Sequence, residues 1–348
     1  MKLHYPLTAH RMAISKQMAV IIFLLLVILS GCTEQVTPIH PSSLPSETPV
    51  PDTPTPTAQP QDSFRIIAYV TEGYPLMKLI PYSQLTHINY AFVIPNADGS
   101  LQPFANGWKI KELVKYAHEN GVKVLVSIGG WGWDAEFESL AADATSRARF
   151  VEALDQFAKD YALDGIDIDW EYPGPGQESA QNYVTLMTEL KARLHPQGLL
   201  LTTAVVALGK TGEDILPEIF EIVDFMNIMA YDGDGQNHSP FEYALQALDF
   251  WCGRGLPKEK MVLGVPFYGR PGGVVYRKLV ENDPQAANLD ATDYIGSMVY
   301  YNGIPTIQAK TQLALQRGSG IMIWELSQDT TDATSLFTAI YQTVRGSK

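Results

Sequence analysis

Short apolar runs alternate with longer stretches in which apolar residues recur every three or four positions, and this alternation begins only after residue 63. The runs are 64–70, 87–93, 122–128, 165–170, 199–207, 223–231, 261–267 and 320–326. Runs of this length, apolar on both faces, fit strands of a parallel sheet covered on both sides. Helical spacing at 145–161, 179–194 and 305–317 supplies crossovers between them. Eight such strands in roughly 280 residues predict an α/β fold closed as a (β/α)8 TIM barrel. A doubly wound open sheet is the alternative, but no Gly-rich phosphate loop supports it.

The first sixty residues follow another pattern. Lys2, Arg11 and Lys16 precede an apolar run from Met18 to Leu29, too short to span a bilayer comfortably and the right length for a signal-peptide core. Leu29-Ser30-Gly31-Cys32 then looks like a bacterial lipobox, where cleavage leaves Cys32 as an N-terminus joined to a diacylglycerol. A secretory signal without a lipid is the other reading. The expected organisation is a lipoprotein signal peptide at 1–31, an acylated Cys32 with a Pro/Thr/Ser-rich tether to 61, and a barrel domain at 62–348. The 29 residues from Thr33 to Gln61 have too few large apolar side chains to bury. As polyproline II they would reach about 90 Å. The expected location is the bacterial cell envelope, lipid-anchored and facing outside the cytoplasm.

Composition narrows the partners. The chain is 46% hydrophobic and 18% charged, an ordinary globular balance. Its formal charge of −13 becomes −16 once the three bases of residues 1–31 are removed, which argues against nucleic acid and anionic polymers. Cys252 is the only cysteine besides Cys32, so an acylated chain has no structural disulfide and its stability rests on the core.

The densest chemistry is DGIDIDWEYP at 164–173. Asp167, Asp169 and Glu171 occupy alternate positions, so they share one face of a strand, with same-face neighbours roughly 6.5 to 7 Å apart. Ile166, Ile168 and Trp170 occupy the other face. Desolvation and mutual repulsion among three such carboxyls keep at least one protonated, which makes a poised acid. A wet acidic edge strand is the bland alternative, and the apolar residues between the acids count against it. Asp164 is out of phase and reads as structural, at the strand's start.

This segment resembles the D-x-x-D-x-D-x-E signature of family 18 glycoside hydrolases, the chitinase family. The likeness runs from about Phe64 to Arg345 through YAF (90–92), SIGGW (127–131), MAYD (229–232), GVPFYGR (264–270) and MIWE (322–325), in the family's order. It implies hydrolysis of β-1,4 bonds between N-acetylglucosamine units with retention. The attacking group is the substrate's own 2-acetamido oxygen, which forms an oxazolinium ion, so no protein nucleophile is needed. Carried over by motif, Glu171 matches the general acid, Asp169 the carboxylate that holds the acetamido N–H, and Asp167 the deeper aspartate expected to share a proton with it. Tyr231 matches the tyrosine that binds the acetamido carbonyl. Trp324 matches the floor of subsite −1, Trp131 an aromatic platform at +1, and Asp232 and Met229 sugar-binding and pocket-lining positions. Tyr69, Phe92 and Ser127 match the shell around the aspartates, while Tyr268 and Arg270 match sugar contacts after the seventh strand.

In a barrel these motifs fall at the strand ends that form one rim: Ser127 ending the third strand, Glu171 the fourth, Tyr231 and Asp232 the sixth, and Trp324 the eighth. Between Pro271 and Ile304, where many members insert an α+β subdomain, the chain has room only for a rudimentary insertion, so an open cleft and non-processive endo cleavage are expected. The loop after MAYD is compact and lacks the tryptophan often found there. His238 in that loop reads as a loop residue more readily than as a ligand or base. No metal-spacing cluster exists, so neither metal nor cofactor is expected, and chitin or its oligosaccharides are the expected partner of a monomer. An endo-β-N-acetylglucosaminidase or a peptidoglycan hydrolase is the alternative enzyme. An inactive chitin-binding lectin is the alternative of another class, and the presence of Glu171, Asp169, Asp167 and Tyr231 counts against it.

Overall fold

The computed structural model describes residues 64–174 and 176–347. The expected signal peptide, Cys32 and the whole tether lie outside the described residues. The eight apolar runs are eight parallel strands: β1 (Arg65–Thr71), β2 (His87–Val93), β3 (Lys123–Trp131), β4 (Gly165–Glu171), β5 (Leu200–Val206), β6 (Phe225–Met229), β7 (Met261–Pro266) and, after two short hairpins, β12 (Gly320–Trp324). They pair in chain order, and β12 closes the barrel against β1 through Arg65↔Gly320 to Ala68↔Ile323.

The connections depart from a uniform set of single helices. Between β1 and β2 there are only two short 3-10 turns, Met77–Leu79 and Tyr82–Gln84, in a segment where Pro75 and Pro81 each remove a backbone donor. β2 leads to α1 (Gly107–Glu119), and β3 to two consecutive helices, α2 (Asp134–Ala142) and α3 (Ala144–Tyr161). Asp143 separates that pair, its carboxylate accepting from the Ser146 amide at 2.8 Å as an N-cap. α4 (Gln177–Leu194) follows β4, the short α5 (Lys210–Glu213) and α6 (Glu218–Ile222) follow β5, and α7 (Phe241–Gly253) follows β6.

The segment after β7 is small, as its length requires. It holds the β8–β9 hairpin (Tyr268–Gly269 with Val274–Val275), α8 (Tyr276–Asn282) and the β10–β11 hairpin (Ala291–Tyr294 with Ser297–Tyr300). Arg270 and Tyr300 exchange two backbone hydrogen bonds of 2.8 Å, so this second hairpin is fastened beside the rim. α9 (Ile304–Arg317) then leads to β12, and α10 (Leu336–Gly346) completes the outer layer.

Two apolar cores result. The larger lies between barrel and helices and contains Ile166, Ile168 and Trp170 with Phe137, Phe150 and Leu154 from α2 and α3. A smaller one fills the barrel axis with Ile67, Tyr69, Phe225, Met229, Val262 and Met322. Strand alternation separates the two, which is why β4 sends its acids inward and its apolar residues outward. One sequence expectation is corrected here: Ser127 does not end β3, which continues to Trp131, so Ser127 lies deep in the barrel.

Candidate active site

Asp167 and Asp169 are buried on the inner face of β4, and Glu171 is half-buried at its end. The Asp167 carboxylate is enclosed by donors from four other strands. Tyr69 Oη donates at 2.6 Å and Ser127 Oγ at 2.8 Å to one oxygen, and Thr202 Oγ1 at 2.6 Å and Asn227 Nδ2 at 3.3 Å to the other. Burial still raises its pKa, against the pull of these donors. Thr202 and Asn227 were not singled out from the sequence. No sequence signal marks Thr202, which only the strand register brings level with Asp167.

Asp169 is the less satisfied neighbour. Its Oδ1 is buried without a hydrogen-bond partner. Burial, then the charges of Glu171 and Asp167, push its carboxyl well above the ordinary range. Both Asp167 oxygens are engaged by Tyr69, Ser127, Thr202 and Asn227, while Asp169 has no such set of donors. An orphaned buried carboxyl oxygen is costly unless a ligand or a proton satisfies it.

Glu171 is the carboxyl nearest the rim. Burial lifts its pKa to about 6, a hydrogen bond with Tyr172 opposes the rise, and the negative charge of Asp232 adds to it. Asp232 lies three residues past the end of β6, with φ at +57°. Arg270 clamps its carboxylate in two contacts, Nε and Nη2 both at 2.8 Å. Burial alone would raise Asp232; hydrogen bonds with His238, Arg270 and Tyr268 outweigh it and hold the group at about 2. An ionised Asp232 therefore faces a Glu171 that keeps its proton into mildly acidic solution.

His238, read from the sequence as a loop residue, is buried at the base of this pair. Its Nδ1 lies 3.2 Å from the Asp232 amide and 3.1 Å from Oδ1, and its Nε2 lies 3.3 Å from the Tyr268 carbonyl. The next residue, Ser239, is held by the buried Lys310 of α9, whose Nζ donates to the Ser239 carbonyl, the Ser239 hydroxyl and Asn302 Oδ1, each at 2.7 Å. The loop carrying Asp232 is thus fixed from beneath.

Aromatic side chains complete the hollow. Trp324 ends β12 and packs edge-on against Tyr69 at 5.4 Å and at a tilt against Phe92 at 5.5 Å. Tyr231 is buried with Tyr268 edge-on at 6.4 Å, and no residue described here hydrogen-bonds to the Tyr231 hydroxyl. Met229 packs among the barrel-axis residues. Trp131 pairs in register with Glu171 and is 77% exposed, leaving its ring open at the rim. The glycines of SIGGW permit this approach: a Cβ on Gly129, at φ +105°, would come within 2.6 Å of the Asp169 carbonyl and 2.5 Å of the Phe137 ring. Every site residue expected in the barrel lies in the inner row, in the layer beneath it, or at the adjoining rim. Asp164 instead accepts the Val124 amide at 2.7 Å at the far end of β4, a structural contact.

A parallel barrel with inward carboxyls on one strand, a raised acid at that strand's C-terminal end and an aromatic floor defines the class, a (β/α)8 barrel with a carboxyl site at its C-terminal rim. The chain belongs to the glycosyl hydrolases family 18, whose model matches residues 65–329. It is similar to "Chitinase 1" of Aphanocladium album, 30% identical over 238 residues that cover 55% of this chain and 56% of that protein. The chain spans about half the length of the curated relatives it matches. Among solved structures it is similar to the chitinase ChiB from the chitin utilization locus of Flavobacterium johnsoniae, with TM-score 0.71, 29% identity, and coverage of 82% of this chain and 95% of that one. A chitinase from Bacteroides thetaiotaomicron gives TM-score 0.73 and 27% identity, covering 81% and 96% respectively.

Proposed function

We propose that this protein is an endo-acting chitinase that cleaves β-1,4 bonds between N-acetylglucosamine units with retention, by substrate-assisted catalysis. The carrying observation is the pairing of Glu171, raised to about 6 at the rim, with Asp169, buried beside it with one oxygen unpartnered. In this reading Trp324 supports the sugar at −1 by stacking. The Tyr231 hydroxyl donates to the acetamido carbonyl, and Asp169 accepts from the acetamido N–H. Those two contacts hold the carbonyl oxygen against C1 and stabilise the positive charge that develops on the oxazolinium ring.

Glu171 gives its proton to the glycosidic oxygen as the C1–O bond breaks, and the acetamido oxygen bonds to C1 from the opposite face. The resulting carboxylate then takes a proton from water as that water opens the oxazolinium ring, which returns C1 to the β configuration. Asp167, enclosed by Tyr69, Ser127, Thr202 and Asn227, lies beneath Asp169. Asp232 and Arg270 contact the sugar at the rim, Tyr268, Met229 and Phe92 line the pocket, and Trp131 offers a platform at +1. That the similar proteins are named chitinases supports chitin over glycoprotein or peptidoglycan as substrate. Comparing turnover on chitin oligomers, high-mannose glycopeptide and peptidoglycan tests this; preferred cleavage of either of the last two overturns it.

The apolar run before Leu29-Ser30-Gly31-Cys32 supports a lipid-anchored envelope protein that holds a monomeric barrel on its tether. Cys32→Ala is expected to release the protein from the membrane fraction, and retention there would exclude the anchor.

A further inference from the structure

The reading of Glu171 as the acid leaves open what holds its carboxyl in place, since Glu171 ends β4 and the chain leaves the barrel at once through Tyr172, Pro173 and Gly174. Helix α2 lies directly behind this exit. Its Phe137 is buried and stacks on Trp170, the neighbour of Glu171, with centroids 5.2 Å apart and planes 12° from parallel. The next residue, Glu138, extends one carboxylate oxygen to the loop and to the helix that follows it: Oε1 accepts the Gly174 amide at 2.6 Å and the Ser179 hydroxyl, in the first turn of α4, at 2.5 Å. No lysine, arginine or histidine pairs with Glu138 among the described residues. Its charge is answered by this loop and by the first turn of α4, where a carboxylate is favourably placed. Position 174 fits the contact closely, because a Cβ there would stand 2.8 Å from Glu138 Oε1.

We propose that Glu138 is a positioning residue for Glu171: by fastening the loop that begins at Tyr172 to the rigid helix α2, it holds the Glu171 carboxyl at the glycosidic oxygen. The claim rests on the reading of Glu171 as general acid, and it predicts a substrate-dependent defect. Protonation of the leaving oxygen matters when a sugar departs. It matters little when the leaving group is an acidic phenol, stable as its anion. A loss of stability or of substrate binding would affect the two leaving groups alike; misplacement of the acid affects one.

The test compares kcat/KM on chitotetraose and on 2,4-dinitrophenyl β-chitobioside for the full-length wild type, Glu138→Ala, Glu138→Gln and Gly174→Ala. Since kcat/KM reports the first bond-breaking step, it isolates the acid role of Glu171 from its later role as base. Glu138→Ala is expected to lose about 100-fold on chitotetraose and no more than about fivefold on the aryl substrate. Glu138→Gln keeps an acceptor oxygen for both contacts and is expected to restore most of the difference. Gly174→Ala disturbs the same contact while leaving Glu138 in place, and it is expected to show the same selective loss should Glu138→Ala fail to fold. Equal losses on both substrates, or no loss on either, in the folded variants would overturn the positioning role. A wild type that cleaves neither substrate would instead overturn the reading of the site as a chitinase.

Discussion

At the scale of single residues, the account turns on which carboxyl keeps its proton. Glu171 is lifted to about 6 by burial and by Asp232. The proton-donating form is lost as pH rises through that value, so kcat/KM is expected to fall above about pH 6. Asp232→Asn removes the negative charge that helps keep the proton on Glu171. The alkaline limb is then expected to move to lower pH, whatever happens to its height; a limb that stays or moves upward contradicts the assigned coupling. Tyr231→Phe deletes one hydroxyl from a buried ring, and kcat should fall by about 100-fold or more with little change in melting temperature. The inward row on β4 was legible because strands alternate. The enclosure of Asp167 by Thr202 and Asn227 was less so, since those residues sit in other apolar runs and only the relative strand register brings them level. His238 is the loop residue the sequence suggested, but its burial was not legible, because its partners, Asp232 and the Tyr268 carbonyl, converge on it only after the loop folds back.

Among the elements, α2 and the rim glycines carry more of the site than their sequence suggests. Phe137 contacts Trp170 on one side and Phe150 on the other, with centroids 5.2 Å and 6.1 Å away. Phe137→Ala should therefore destabilise the fold by about 3–5 kcal/mol, read as a lowered midpoint in urea. Trp131→Ala offers the contrast: its ring is 77% exposed, so stability should be unchanged within about 0.5 kcal/mol while KM for longer chitin oligomers rises. A loss of stability like that of Phe137→Ala would mean that Trp131 is packing rather than platform. All eight strands were legible as apolar runs, because a strand covered on both faces leaves little room for polar residues. The helix-poor connection after β1 was not, since the apolar residues there, Leu76, Met77, Leu79 and Ile80, fit a turn of helix until the flanking prolines are weighed.

For the whole molecule, the proposed endo mode rests on the small insertion after β7. Two hairpins, one short helix and one 3-10 turn stand where a long insertion would build a larger wall, which supports the reading of a cleft lightly bounded on that side. Early products from chitohexaose are expected to include several oligomer lengths. A disaccharide-dominated series from the first turnovers would show that the chain end is held and advanced instead. The barrel could be inferred from the alternation of strand and crossover together with the family resemblance, since alternation by itself also fits a doubly wound sheet.

The central claim, retention by substrate assistance with Glu171 as acid, is tested most directly by proton NMR of the first products from chitotetraose and chitopentaose, with wild type and Glu171→Gln side by side. The account predicts new reducing ends that appear first as the β-anomer from wild type, with a rate about 1,000-fold lower in the variant. Products that appear first as the α-anomer, or a Glu171→Gln variant that cleaves as fast as wild type, would contradict it.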